Sequence, residues 1–257
     1  MGRKPTTWRM RQAVVLFPHF IYGWTDSLHV YDNSSITSIP KPPKGRGWEF
    51  LASCQVERCP KLHTVFSLPR SCDEDSFCHL QTFWAPQLLS ARYIWDGPYN
   101  FYSLEFLHLD HCPRLVRVLL FSTRPVYFYA LHTLEIMYCG DLKEVFHLDP
   151  NLQKQYRDIE LPNLRRIHLH ELPMLHHIRG CRMRAPMLET IKIRGCWSLR
   201  RIPAVGRNTK PPKVDCEKEW WDNLEWDGLE EYHHPSLYEP SHPLYYKAQL
   251  PRVSVLR

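Results

Sequence analysis

The chain has no run approaching the roughly 18 apolar residues that a membrane-spanning helix needs, so no membrane span is expected. It has no Gly-x-x-x-x-Gly-Lys-Ser/Thr sequence, so nucleotide-driven switching cannot be assigned to it. No nucleophile elbow, metal-ligand helix or phosphate loop accompanies its histidines and carboxylates, so neither catalysis nor a cofactor is expected. Paired Cys-x-x-Cys knuckles are missing as well, which argues against structural zinc. Glycine is scarce, with ten residues against 22 prolines in 257, which points to many rigid non-helical turns. Several of these turns directly precede a leucine, as in Leu161-Pro162-Asn163-Leu164 and Ala185-Pro186-Met187-Leu188.

What is present is a period. Leu104, Leu107, Leu109, Cys112, Leu115 and Val118 form a Leu-x-x-Leu-x-Leu-x-x-Cys-x-x-Leu-x-x-Val frame. The same frame fits Leu131, Leu134, Ile136, Cys139, Leu142, Val145 and again Leu188, Ile191, Ile193, Cys196, Leu199, Ile202. Weaker copies run from Leu51 through Cys54, Val56, Cys59, Leu62 and Val65, and from Leu164 through Ile178. Two degenerate copies begin near Thr25 and at Leu80. With starts at 25, 51, 80, 104, 131, 164 and 188, the spacings are 26, 29, 24, 27, 33 and 24 residues, mostly within the roughly 20–29 of a leucine-rich repeat.

Two periods inside each copy give the physical reason. Alternate apolar residues, as in Leu107-x-Leu109, put two side chains on one face of a short strand. Spacing then changes to three, which suits a tight irregular or 3₁₀-like return aimed back into the same core. No copy can bury its face alone, so neighbours must stack. The expected fold is an α/β leucine-rich-repeat solenoid, a horseshoe with a parallel concave sheet and short irregular or 3₁₀ convex returns, its convex helices few and short. Residues 1–24 are expected to be a poorly defined segment or partial repeat, residues 25–205 about seven repeats, and residues 206–257 a Trp-rich acidic cap and tail.

Five of the nine cysteines, Cys54, Cys59, Cys112, Cys139 and Cys196, sit at core or turn slots, which explains them as reduced, buried thiols of an intracellular protein. Cys59, Cys112, Cys139 and Cys196 are therefore structural candidates, as are Trp220, Trp221 and Trp226, expected to fold over the end of the last repeat. Two metal alternatives, Cys54 with Cys59 and His63, and His108 with Asp110, His111 and Cys112, fail because the strand period sends neighbours to opposite faces. By the same argument Asp110 and His108 share a face and His111 does not. At the amino terminus, Ala13 to Phe17 is stopped by Pro18 too early for a signal peptide, and Met1-Gly2 with Thr6 is a poor myristoylation match because Arg3 and Lys4 follow the glycine. A cytoplasmic setting is expected.

The net charge is +6, carried in part by Lys41, Lys44, Arg46, Arg165, Arg166, Arg200, Arg201, Arg207, Lys210 and Lys213. No nucleic-acid-reading module accompanies them, so a solvated surface is the favoured account over nucleic-acid binding. Function then falls to the residues flanking the inward apolar pairs. The central row is His29, Gln55, Trp84, His108, Glu135, His168 and Lys192; the next is Tyr31, Glu57, Pro86, Asp110, Met137, His170 and Arg194. Such a ribbon suits protein binding, since Trp, Tyr, Met and Arg are enriched at interfaces.

The repeat frame, the stretch Leu80-Gln81-Thr82-Phe83-Trp84-Ala85-Pro86-Gln87-Leu88-Leu89, and the tail Glu217-Lys218-Glu219-Trp220-Trp221-Asp222-Asn223-Leu224-Glu225-Trp226 resemble the carboxy-terminal repeats of plant nucleotide-binding leucine-rich-repeat disease-resistance receptors, grass type. The resemblance covers roughly residues 25 to 228, and the tryptophan-rich tail is its more specific mark. It implies an innate-immunity role in which protein partners, a pathogen effector or guarded host protein and the receptor's nucleotide-binding core, meet this region. Because Ala13 to Phe17 and Phe20 to Trp24 are apolar but have no preceding copy to pair with, the chain is expected to be a piece of a longer receptor or a truncated relative that docks on one. The alternative is a repeat adaptor, such as the substrate-recruiting half of a ubiquitin ligase.

Overall fold

A computed structural model describes residues 6–11, 21–39, 48–67, 77–96, 101–121, 128–148, 158–179, 182–206, 210–228 and 232–243. Ala13 to Phe17, Lys41, Lys44, Arg46 and Arg207 lie outside the described residues, as do Cys72, Cys181 and the chain beyond 243.

Apolar alternation produces one long parallel sheet of ten strands. Seven of them, Ser27–Tyr31, Ser53–Glu57, Thr82–Pro86, Phe106–Asp110, Thr133–Met137, Arg166–His170 and Thr190–Arg194, open the seven repeat copies. Thr7–Met10 stacks on the first, while Lys213–Asp215 and Glu239–Ser241 continue the sheet past the last. Every frame position from Leu104 to Val118, Leu131 to Val145 and Leu188 to Ile202 is buried in a single core that runs the length of the coil. The chain is a leucine-rich-repeat solenoid with almost no helix, its described helices being the five-residue Lys218–Asp222 and the 3₁₀ turn Pro235–Leu237.

The returns are more regular than their spacing implies. Thr64–Ser67, Tyr93–Asp96, Arg117–Phe121, Glu144–Leu148 and His177–Arg179 pair into a second parallel sheet of five strands. Adjacent apolar residues in these segments, Val65-Phe66, Ile94-Trp95 and Val145-Phe146, are buried together. An aromatic column supports them, set three residues before each frame leucine: Trp48, Phe77, Phe101 and Phe128, then Leu161 and Ala185. Phe77 stacks on Phe101 with ring centroids 6.0 Å apart, and Phe101 on Phe128 at 5.9 Å. The backbone turns on the same residues, for Leu80 N–H donates to the Phe77 carbonyl at 3.1 Å and Leu131 N–H to that of Phe128 at 3.2 Å.

Just after each of the seven strands the chain adopts the left-handed region, at Asp32, Arg58, Gln87, His111, Tyr138, Glu171 and Gly195. The bend aims each N–H at the neighbouring repeat: Gln87 donates to the Asp110 carbonyl at 2.8 Å, His111 to Met137 at 3.1 Å and Tyr138 to His170 at 2.9 Å. At the end of the series Gly195 N–H donates instead to the Glu217 carboxylate at 2.9 Å. A left-handed residue with a side chain costs about 1–2 kcal/mol, so repetition of this bend at six non-glycine positions reflects what the inter-repeat ladder returns. At Gly195, with φ +64°, a Cβ would also lie 2.7 Å from the Glu171 carboxylate. Gly195→Ala is therefore expected to destabilise by at least about 1–2 kcal/mol, read as a lowered midpoint in urea. An unchanged midpoint would contradict the bend's role.

The thiol slot works as its chemistry suggests. Cys59, Cys139 and Cys196 point their sulfurs at the carbonyls of Glu57, Met137 and Arg194 at 3.3, 3.3 and 3.4 Å, and Cys112 reaches Ala85 at 3.4 Å. Asn33 fills the same slot by accepting from the N–H groups of Ser35 and Ile36 at 3.0 and 3.1 Å. All seven described cysteines are free. Burial pushes the Cys196 thiol up to about 12, and Cys139, hydrogen-bonded to the Cys112 thiol, is also raised well above an ordinary thiol.

Candidate functional site

In the seven opening strands the second and fourth side chains enter the core and the first, third and fifth face away from it, Arg194 being the exception. Parallel pairing keeps the third positions in direct register, so His29, Gln55, Trp84, His108, Glu135, His168 and Lys192 form one unbroken row. Pairing also aligns Tyr31 with Glu57, and Pro86, Asp110, Met137, His170 and Arg194 in series. Trp84 is 46% exposed at the middle of the face, edge-on to His108 at 5.3 Å.

Short polar links tie the rows together. His29 Nε2 donates to Glu57 Oε1 at 2.7 Å, and Gln55 Nε2 reaches the same oxygen at 3.4 Å. Arg58 then bridges Glu57 and Asp32, both at 2.5 Å, and this pairing holds the Asp32 carboxyl below the usual carboxylate range. Farther along, His108 Nδ1 donates to Glu135 at 3.0 Å. Burial lowers the pKa of His168, and the Glu135 carboxylate opposes that shift. These contacts orient the histidines and keep them on the outward surface.

Two expectations change on contact with the geometry. Asp110 shares its face with His108, yet its partner is His111, whose Nδ1 lies 2.7 Å away because the left-handed bend at His111 swings that ring back. Arg194 is only 9% exposed and is paired with Asp215, brought alongside by strand Lys213–Asp215, so it offers no free cation on the face. Among the described residues no group of three or more His, Cys, Asp or Glu could hold a metal ion.

A third column, missed in the sequence, borders the face. Arg58, Gln87, His111 and Tyr138, the left-handed residues, are exposed beside the fifth-position row. Tyr138 packs 4.5 Å from the His111 ring and 5.0 Å from that of His170, joining the columns. The signal was positional: each stands two residues after a frame strand's last apolar residue, but their side chains share no chemistry.

The tail tryptophans take distinct places. Trp220 is buried and its Nε1 donates to the Leu199 carbonyl at 2.9 Å. Trp221 and Trp226 are partly buried, with ring centroids 5.3 Å apart, and both pack against Tyr238.

Residues 86–205 match the family described as plant disease resistance protein RPS2-like leucine-rich repeats. Over that span, just under half of the chain, the repeats are similar to those of plant disease-resistance proteins. Among similar Arabidopsis thaliana proteins are "Putative disease resistance protein At4g19050", 30% identical over 154 residues, and "Disease resistance protein At4g27190", 29% identical over 127 residues. These matches cover 58% and 49% of this chain but only 12% of each relative, so the chain spans a small part of the relatives' length. No solved structure matches. The matched span coincides with the strands from Phe106–Asp110 to Thr190–Arg194, where the frame is strongest. No described helix is long and apolar enough to cross a membrane.

Proposed function

We propose that the outward face of the long sheet is the protein-recognition surface of a plant immune receptor, engaging a pathogen effector or guarded host protein and restraining the receptor's nucleotide-binding core. The observation that carries this reading is the register-locked row from His29 to Lys192, which places an exposed tryptophan, imidazoles and both charge signs on one rigid ribbon. Aromatic anchors on a preorganised surface are what concentrated binding energy requires. The similarity to disease-resistance repeats favours the receptor over the ubiquitin-ligase adaptor. In this reading the chain works in the cytoplasm.

The test is a titration of the chain with the nucleotide-binding domain of a plant disease resistance receptor. Trp84→Ala combined with His168→Ala should weaken binding at least about tenfold, as loss of interface anchors does. Lys143→Ala, on an exposed turn before a return strand, should not. Equal weakening by both variants, or by neither, would remove the face from the interaction.

A further inference from the structure

A cavity of about 340 Å³ opens where the last described return strand, His177–Arg179, meets strand Arg182–Arg184, the segment 201–204 and the tail. It lies at the end of the coil where the aromatic column thins from Phe128 to Leu161 to Ala185. The return strands pair Phe66 with Trp95, and Phe146 with both Leu119 and Arg179, so a guanidinium takes a place in a row of otherwise apolar residues. Arg179 is only 6% exposed.

Charge in the lining is one-sided. Arg179, Arg182, Arg184 and Arg201 face the cavity, and among the described lining residues Asp227 is the one carboxylate. That carboxylate is already shared by Arg201 at 2.5 Å and Arg182 at 3.6 Å, while Arg184 lies over the Tyr232 ring at 5.0 Å. His233, 2% exposed, accepts the Asp227 N–H on Nδ1 at 3.2 Å, which leaves the ring proton on Nε2. Nε2 is buried against the Ile202 backbone in the cavity wall. The remaining wall, including Ile178, Met183 and Ile202, is apolar.

We propose that this cavity binds a soluble organic phosphate carrying two or more phosphate groups. Guanidinium forks match phosphate oxygens in pairs, and several of them around one concave site select for multiple negative charges. The volume is about ten times a water's share of the liquid, more than one inorganic phosphate fills, and the apolar wall suits the ligand's carbon skeleton. The site is separate from the outward face of the long sheet and does not depend on the protein-recognition reading.

Calorimetric titration of the full chain with pyrophosphate at fixed ionic strength tests the proposal. Saturable one-to-one binding is expected, accompanied by a rise in Tm. Because Arg182 and Arg184 are exposed, Arg182→Gln with Arg184→Gln should leave the fold intact and weaken binding at least about tenfold; such a loss corresponds to about 1.4 kcal/mol. Lys61→Gln, on an exposed turn before strand Thr64–Ser67 and far from the cavity, should change nothing. The proposal is overturned by absence of saturable binding, by undiminished binding in the double variant, by equal loss in Lys61→Gln, or by sulfate binding as tightly as pyrophosphate. Capture by anionic vesicles without binding of the soluble probe would overturn it too.

Discussion

Cys139→Asp is expected to unfold the central repeats, lowering stability by several kcal/mol, because a carboxylate placed in that buried slot has no cation to meet. The native thiol is fully buried, points at the Met137 carbonyl and is hydrogen-bonded to the Cys112 thiol, so the carbonyl would repel the new charge. Cys139→Asn should cost far less, about 1–2 kcal/mol, since its amide can donate where the thiol does and Asn33 already occupies the equivalent slot. Urea titrations of the two variants check this. Equal midpoints would show that the slot is not a sealed part of the core.

Trp220→Ala should produce the second large loss, about 3–5 kcal/mol for truncating a buried tryptophan. The indole seals the end of the last frame copy and satisfies the Leu199 carbonyl, so Trp220→Phe should keep most of the packing and lose about 1 kcal/mol with the hydrogen bond. In a solenoid, stability passes between nearest neighbours, so the damage should start at the repeat from Leu188 to Ile202. Limited proteolysis is expected to cut within 195–228 first in Trp220→Ala. A cleavage pattern and Tm identical to those of the parent chain would contradict this end-sealing role.

Much of this architecture was legible because a solenoid writes its core as a period. Leu107, Leu109, Cys112, Leu115 and Val118 each predicted their own burial, and stacking made the same true of the weaker copies. Direct register followed, since two-residue alternation leaves little freedom for a strand to slip. The aromatic column was also written in the chain, as Trp48, Phe77, Phe101 and Phe128 three residues before each leucine, but it lies outside the leucine frame. The left-handed bends were hidden because Asp32, Arg58, Gln87, His111, Tyr138 and Glu171 carry no shared signal and only Gly195 announces the conformation. The burial of Arg194 and the cavity beside Arg179 depend on tail residues Asp215, Asp227 and His233, which follow no repeat, so neither could be placed from spacing.

Hydroxyl-radical footprinting in the presence of a receptor nucleotide-binding domain tests the recognition face most directly, because the reactive side chains are distributed for it. Trp84, Met137 and Tyr31 lie on the face, whereas Trp24, Trp197 and Met174, at 60%, 51% and 43% exposure, lie off the rows. Protection of Trp84, Met137 and Tyr31, with Trp24, Trp197 and Met174 still oxidised, is the predicted result. Protection of the second group with Trp84 left reactive would contradict the account.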